Sequence, residues 1–386
     1  MEQAQRLKEL PPYLFAEIDR KKEECRAKGM DIISLGIGDP DRPTPDHIIN
    51  RLSQAVKDSS THQYPAYNGM KDFRQAVADW YDRRFQVSLN PDEEILTLIG
   101  SKEGIAHIPL AFVDPGDIVL IPDPGYPVYK IGTTFAGGVP FFMPLLEENG
   151  FLPDFSAIPA EVAQKAKMMF INYPNNPTAA DAGLDFYQEL VEFARKYEIV
   201  VLNDAAYSEI YLDGHKTPSF LQVQGAKEVG LEIHSLSKTY NMTGWRIGWA
   251  AGRSEVVHGL ASVKENVDSG VFEAIQIAGI EALQGDQSCV EEMRNLYTRR
   301  RDVLIAGLRD LGLRVKTPRA TFYLWARVPD GYTSASFTTK LLEETGVVCT
   351  PGNGFGPSGE GYIRFALTQE EDRLQEAVSR IRKFQL

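Results

Sequence analysis

MMFINYPNNPTAADAGLDFYQELVEFARKYEIVVLND, residues 168–204, is the stretch whose reading decides the fold. It opens with the apolar run Met168-Met169-Phe170-Ile171 and closes with the β-branched run Ile199-Val200-Val201-Leu202. Both have strand length and no polar alternation, as expected of strands covered on both faces. Between them, Leu184–Tyr197 places apolar residues at helical spacing, with Asp185 early and Arg195 and Lys196 late, the charge order a helix dipole favours. Strand, helix, strand in that order is a right-handed crossover joining parallel strands.

Working outward, the runs at 95–99, 118–121, 231–234 and 247–250 have the same buried-strand character. The last hundred residues differ: a long helix pattern at 290–311, strands at 321–325 and 361–366, a helix at 334–344 and a closing helix make an α+β module. The expected architecture is α/β, with a large domain over 44–280 holding a mostly parallel seven-stranded sheet between helices. A smaller α+β domain is expected from both chain ends, residues 1–43 (with an N-terminal arm) and 281–386.

Composition narrows the function classes. The 386 residues are 43% apolar and 24% charged, an ordinary globular profile long enough for more than one core. A net charge of -12 gives no basic footprint, so neither nucleic acid nor a membrane is an expected partner. No run approaches the roughly eighteen apolar residues of a membrane span, and the charged N-terminus has no signal-peptide stretch. Cys25, Cys289 and Cys349 are far apart and the six histidines are scattered without ligand spacing, so no disulfide framework and no metal are expected. A reducing cytoplasm fits this usage.

In open α/β sheets, ligands gather beyond the carboxyl ends of the strands. Those positions here carry Gly100-Ser101-Lys102, whose backbone N–H groups enter a helix as a phosphate cradle would, and the turn Pro124-Gly125-Tyr126-Pro127. They also carry Asn172 to Thr178 with Asn176, then Asn203-Asp204-Ala205-Ala206-Tyr207, then Ser235-Leu236-Ser237-Lys238 with Arg246 eight residues on. An acid, a phenol, an amide, a phosphate cradle with an arginine, an aromatic plate and an amine are together the complement of pyridoxal 5'-phosphate.

The motifs GDPD at 38–41, Tyr64-Pro65 with Asn68-Gly69, PGYPVY at 124–129, NYPNNPT at 172–178, NDAAY at 203–207, SLSKTYNMTGWRIGW at 235–249 and YIRFA at 362–366 occur in this order along the whole chain. In that combination the sequence resembles the fold type I, class I pyridoxal phosphate-dependent aminotransferases. The resemblance implies that Lys238 bonds the cofactor aldehyde and, once displaced by substrate, carries the proton at the reacting carbon. It implies that Asp204 keeps the pyridine nitrogen protonated and that Tyr207 and Asn176 hold the phenolic oxygen. Tyr126 would stack on the ring, and Ser101, the backbone near Lys102, Ser235, Ser237 and Arg246 would hold the phosphate. Arg364 would clamp the substrate α-carboxylate, with Gly38 closing over it and Asn176 and Tyr126 nearby. Tyr64 would reach the phosphate of a neighbouring subunit, which makes the expected assembly a homodimer with shared sites. Ala179-Ala180 departs from the glycine many relatives have after NNPT.

The substrates implied are a small amino acid and a 2-oxo acid. Core motifs serve aspartate, alanine, aromatic and diaminopimelate enzymes alike. The stretches LKELPPYLF at 7–15, LGIGDPD at 35–41 and IGSKEGIAH at 99–107 are similar to those of LL-diaminopimelate aminotransferases, which pair LL-diaminopimelate with 2-oxoglutarate in lysine biosynthesis. A dicarboxylate-specific enzyme usually adds a second arginine from its partner, and the sequence assigns none. An aspartate or alanine aminotransferase therefore stays open beside it. So do a β-lyase on the same fold and a non-catalytic cofactor-bound regulator, although a regulator would need an appended DNA-binding domain.

Overall fold

The computed structural model describes residues 2–8, 10 and 16–384. Part of the LKELPPYLF stretch, residues 9 and 11–15, lies outside them. The first strand, β1 (Ile33–Ser34), finds no partner nearby in sequence and pairs in parallel with Val347–Val348, so the two ends of the chain meet at once.

Seven strands follow: β2 (Ile95–Leu98), β3 (Ile118–Asp123), β4 (Val139–Pro144), β5 (Ala166–Asn172), β6 (Val200–Asp204), β7 (Gly230–Ser235) and β8 (Gly248–Gly252). They form one sheet in the order β2-β8-β7-β6-β5-β3-β4. β3 to β7 run parallel, whereas β8 is antiparallel to both of its neighbours. This is the mostly parallel seven-stranded sheet read from the sequence. One strand the sequence did not suggest is β4, whose Pro140 and Pro144 argue against a ladder. It is tolerated because β4 is an edge strand bonded to β3 alone.

Side chains alternate across this sheet with period two. Met169 and Ile171 of β5 join a core with Phe73, Tyr187, Leu190 and Val201. Met168 and Phe170 enter the opposite core with Ile105, Val119, Leu202 and Ile233. The helix Leu184–Tyr197 has the bounds its periodicity gave and buries Phe186, Tyr187, Leu190, Val191 and Ala194 on the first of these faces.

A further core surrounds β9 (Arg314–Val315), β10 (Tyr323–Arg327), β11 (Val347–Val348), β12 (Thr350–Pro351) and β13 (Tyr362–Ala366). Four of them make a sheet in the order β12-β13-β10-β9. The expected strand at 321–325 begins two residues later because Thr321 sits in the left-handed region at φ 67°, where an extended chain does not continue. Ile33 and Leu35 pack into this core, and the backbone of Leu35 is bonded to both Val348 and Ala366. Tyr207, Ile210 and Leu212, just past β6, also enter it, which couples it to the large sheet.

Arg300, fully buried, locks this arrangement by a two-pronged bond to Asp41, both distances 2.7 Å, with the Leu367 carbonyl as a further acceptor. Removing the more exposed Asp41 leaves the buried guanidinium with the Leu367 carbonyl and with Glu370 at 3.6 Å in place of its two-pronged partner. Asp41→Ala should therefore lower unfolding free energy by about 3 kcal/mol, read from the urea midpoint. An unchanged midpoint would show that the pair contributes nothing net.

Candidate active site

The chain order reverses between β3 and β5, toward the β4 edge of the large sheet. From β3 the chain steps outward to β4, then returns to place β5, β6 and β7 on the other side. This is a switch point, where the loops leaving adjacent strands diverge and open a crevice at their carboxyl ends. Asp123, Asn172, Asp204 and Ser235 end those strands.

Asp204 is buried, and its Oδ2 accepts a 2.8 Å bond from the Tyr129 hydroxyl. Desolvation pushes its pKa up to about 6 against the pull of that bond and of the Ala206 N–H. Asn172 knits the neighbouring loop: its Nδ2 donates to the Asp204 carbonyl at 2.6 Å and its Oδ1 accepts from the Asn176 N–H at 2.8 Å. Asn175 closes the same loop onto Thr178 and the Asn172 carbonyl. Asn176 is thereby fixed with its side-chain oxygen directed at Arg364, 2.6 Å away.

After β7, Ser235 caps the short helix Leu236–Thr239, its Oγ accepting from the Ser237 N–H. That turn presents Lys238, whose Nζ donates to the Gly38 carbonyl at 3.2 Å. Burial pushes the Lys238 pKa down to about 8. Arg246 and Arg364 press the same way, while Asp39 and Asp204 oppose. An amine so placed is largely available as a nucleophile at mildly alkaline pH.

Gly248, the first residue of β8, shows how the cradle is assembled. A Cβ there would lie 3.3 Å from the Ser101 nitrogen and 3.4 Å from the Ser235 Cα, so both approach one point. Gly100, at φ 75°, precedes the helix Ser101–Phe112, and a Cβ on it would come within 2.1 Å of Arg246 Nη2. The guanidinium thus lies against the start of that helix, held by its bond to the Thr243 carbonyl. Glu103 reaches back to the Ile99 N–H at 2.9 Å and secures the same turn.

Arg364 on β13 is 3% exposed, with Nη1 on Asn176 and Nη2 on the Gly36 carbonyl at 2.7 Å. Its plane lies between the rings of Tyr323 and Phe355, at 4.2 and 4.6 Å. Tyr126 stands edge-on to Tyr129 at 5.9 Å, and burial, reinforced by the Asp204 charge, pushes its pKa up to about 12. Gly38 is the residue over which the Tyr323 hydroxyl fits, since a Cβ would meet that oxygen at 2.1 Å.

The structure thus links Lys238, Gly38, Arg364, Asn176 and Asp204 by short contacts, with Tyr207 reaching Gly38 through Tyr323. Ser101, Ser235, Ser237 and Arg246 gather beside Gly248. Lys102 is exposed, and the Tyr64 side chain, 93% exposed, is not drawn into this chain's own crevice. Two residues escaped the sequence reading. Tyr129 lies three positions after Tyr126, a helical spacing that could have flagged it. Tyr323 carries no such signal. The structure also brings His107 beside Glu103 at 3.3 Å and Asp268 at 4.0 Å, although the histidines looked scattered in sequence. The Lys264 ammonium already pairs with both acids there, at 3.5 and 2.7 Å.

Residues 30–381 match the family model described as aminotransferase class I and II. The chain belongs to that family. The enzyme is therefore a pyridoxal phosphate-dependent aminotransferase that acts on small amino and 2-oxo acids. It is 60% identical over 380 residues to a protein of Syntrophobacter fumaroxidans named LL-diaminopimelate aminotransferase, covering 98% of each chain. It is also 60% identical over 383 residues to the protein of that name from Moorella thermoacetica, covering 99% of this chain and 98% of that one. Among solved structures, apo-BacF from Bacillus subtilis superposes with a TM-score of 0.95 at 38% identity, over 99% and 98% of the two chains.

The depressed Lys238 pKa can be read directly. In the cofactor-free enzyme, attachment of pyridoxal phosphate to Lys238, trapped with borohydride and located by peptide mass, should speed up about tenfold per pH unit while the amine is mostly protonated. The rate should level off near pH 8 rather than near the ordinary 10.5.

Proposed function

We propose that the enzyme is an LL-diaminopimelate aminotransferase, exchanging an amino group between LL-diaminopimelate and 2-oxoglutarate. The observation that carries this reading is the 60% identity, over nearly the full length of both chains, to relatives that bear that name.

The site fits the cofactor group by group. Asp204 is a buried carboxylate whose Oδ2 meets a phenol and no cation, which suits it to hold a pyridinium nitrogen. The point at Gly248 where the Ser101 N–H and Ser235 meet, with Arg246 at the adjoining helix start, suits a phosphate, joined by Ser237 and the backbone near Lys102. Tyr207 and Asn176 are proposed to hold the phenolic oxygen, and Tyr126 to cover the ring. When bound, pyridoxal phosphate supplies an aldehyde that carries the amino group and a ring that accepts the electron pair left at the substrate α-carbon. Lys238 would bond the aldehyde and, once its amine is free, would take the proton from the substrate α-carbon and deliver it to the former aldehyde carbon of the cofactor. Arg364 pairs with the α-carboxylate common to donor and acceptor, while the Gly38 backbone closes the crevice.

The division into residues 44–280 and a smaller domain from both ends is part of this reading, with the site at their junction. The working unit is proposed to be a homodimer in which Tyr64 reaches the neighbour's phosphate. Tyr64 and Tyr67 are exposed on one loop, and Val267 and Phe272 at the two ends of another. The two loops pack together at Gly270 and Ala66, making an apolar patch of the kind subunits cover. A cytoplasmic location is proposed from the free, widely spaced cysteines. Among the described residues, no helix is long and apolar enough to cross a membrane.

Each amino acid added alone to the holoenzyme should reveal its use by the loss of the resting cofactor absorbance. LL-diaminopimelate and glutamate should react, and aspartate and alanine should not; the reverse pattern would keep the chemistry and replace the substrate. Arg364→Ala should lower kcat/KM by about 100-fold for amino donor and 2-oxo acceptor alike. Loss with only one of them would assign this arginine elsewhere.

A further inference from the structure

Tyr323 is 3% exposed and comes from β10, in the core that does not carry Lys238. Its hydroxyl lies 3.0 Å from the Tyr207 hydroxyl, the two rings meeting edge to face at 5.5 Å. Among the described residues, neither hydroxyl has another hydrogen-bond partner. The ring is held by the Arg364 guanidinium against one face and by the Tyr323 N–H bonded to Thr321 Oγ1 at 3.0 Å. Gly38 lacks a side chain where the Tyr323 hydroxyl sits.

A phenol has one proton to give and can accept another. If Tyr207 donates to Tyr323, nothing is left for a second acceptor. With the direction reversed, the Tyr207 proton is free to point elsewhere. The Arg364 cation against the Tyr323 ring draws electron density from that phenol and favours it as the donor. We propose that Tyr323 is a positioning residue for Tyr207: by donating to the Tyr207 oxygen, it commits the Tyr207 proton to the phenolic oxygen of the bound cofactor. This rests on the assignment of Tyr207 to that oxygen. A residue of β10 thereby sets the polarity of a hydrogen bond made by a residue just past β6, the two packing in one core.

The test is a pH titration of the visible absorbance of holoenzyme in four forms: wild type, Tyr323→Phe, Tyr207→Phe and the double variant. Phe at 323 keeps the ring on Arg364 and removes only the hydroxyl. Without the Tyr323 donation the Tyr207 O–H is less polarised and its bond to the phenolic oxygen weaker, which favours the protonated form of that oxygen, so Tyr323→Phe should raise the midpoint by about half a pH unit, and Tyr207→Phe by about one unit or more. The double variant should titrate like Tyr207→Phe alone. An unmoved midpoint in Tyr323→Phe, with Tyr207→Phe shifted, would overturn the role of Tyr323. So would an equal further shift on adding Tyr323→Phe to Tyr207→Phe, since Tyr323 would then act by another route. No shift in Tyr207→Phe would instead overturn the assignment of Tyr207, and the proposal with it.

Discussion

The guanidinium of Arg364 is the contact on which the crevice depends. It is buried, and two of its nitrogens take acceptors from places far apart in the chain, Asn176 beyond β5 and Gly36 beside β1, while Nε has no partner among the described residues. Gly36, next to Leu35, belongs to the same smaller core as the arginine, whereas Asn176 is in position only when the large sheet is docked against it. The parallel pairing of β1 with β11 and the bonds from Leu35 to both Val348 and Ala366 bring Gly36 to the arginine. The Asn172 and Asn175 network brings Asn176 from the other side. Lys238 then finds the carbonyl of Gly38, two residues further on.

Desolvation acts on the two central ionisable groups in opposite senses, pushing Asp204 up and Lys238 down. Both moves favour the uncharged form, because a dry crevice tolerates isolated charge poorly. A ligand bringing a cationic ring nitrogen and a phosphate would supply the missing partners for Asp204 and Arg246. The pocket is therefore built for a charged guest, its own carboxylate and ammonium less firmly ionised than they would be in water.

Much of this was legible in the sequence because local rules governed it. The helix Leu184–Tyr197 and the strands around it follow periodicity, and Asp204, Lys238 and Asn176 stand out because they leave strands where chemistry is expected. An arginine within the strand pattern at 362–366 likewise demanded a polar destination. What stayed hidden depends on long-range pairing. β1 and β11 are two residues each and mean nothing until they meet across 314 residues. β4 was obscured by its prolines, whose cost vanishes only at a sheet edge. Tyr323 gains its meaning from where β10 lies relative to Tyr207, and the group formed by Glu103, His107, Lys264 and Asp268 assembles from two helices and the loop after the second.

The reversed direction of β8 carries a consequence of its own. Because β8 runs against β7, with Gly248 opposite Ser235, the loop from 236 to 247 leaves and re-enters the sheet at one edge. Lys238 and Arg246 ride on that single closed loop, next to the helix beginning at Ser101. The residues proposed to hold the phosphate and the aldehyde thus all leave the large sheet, whereas those proposed for the substrate span two cores and Tyr207 packs in the smaller one. The anchor proposed for the phosphate needs only the large sheet, whereas the pocket proposed for the substrate carboxylate is complete only where the two cores meet.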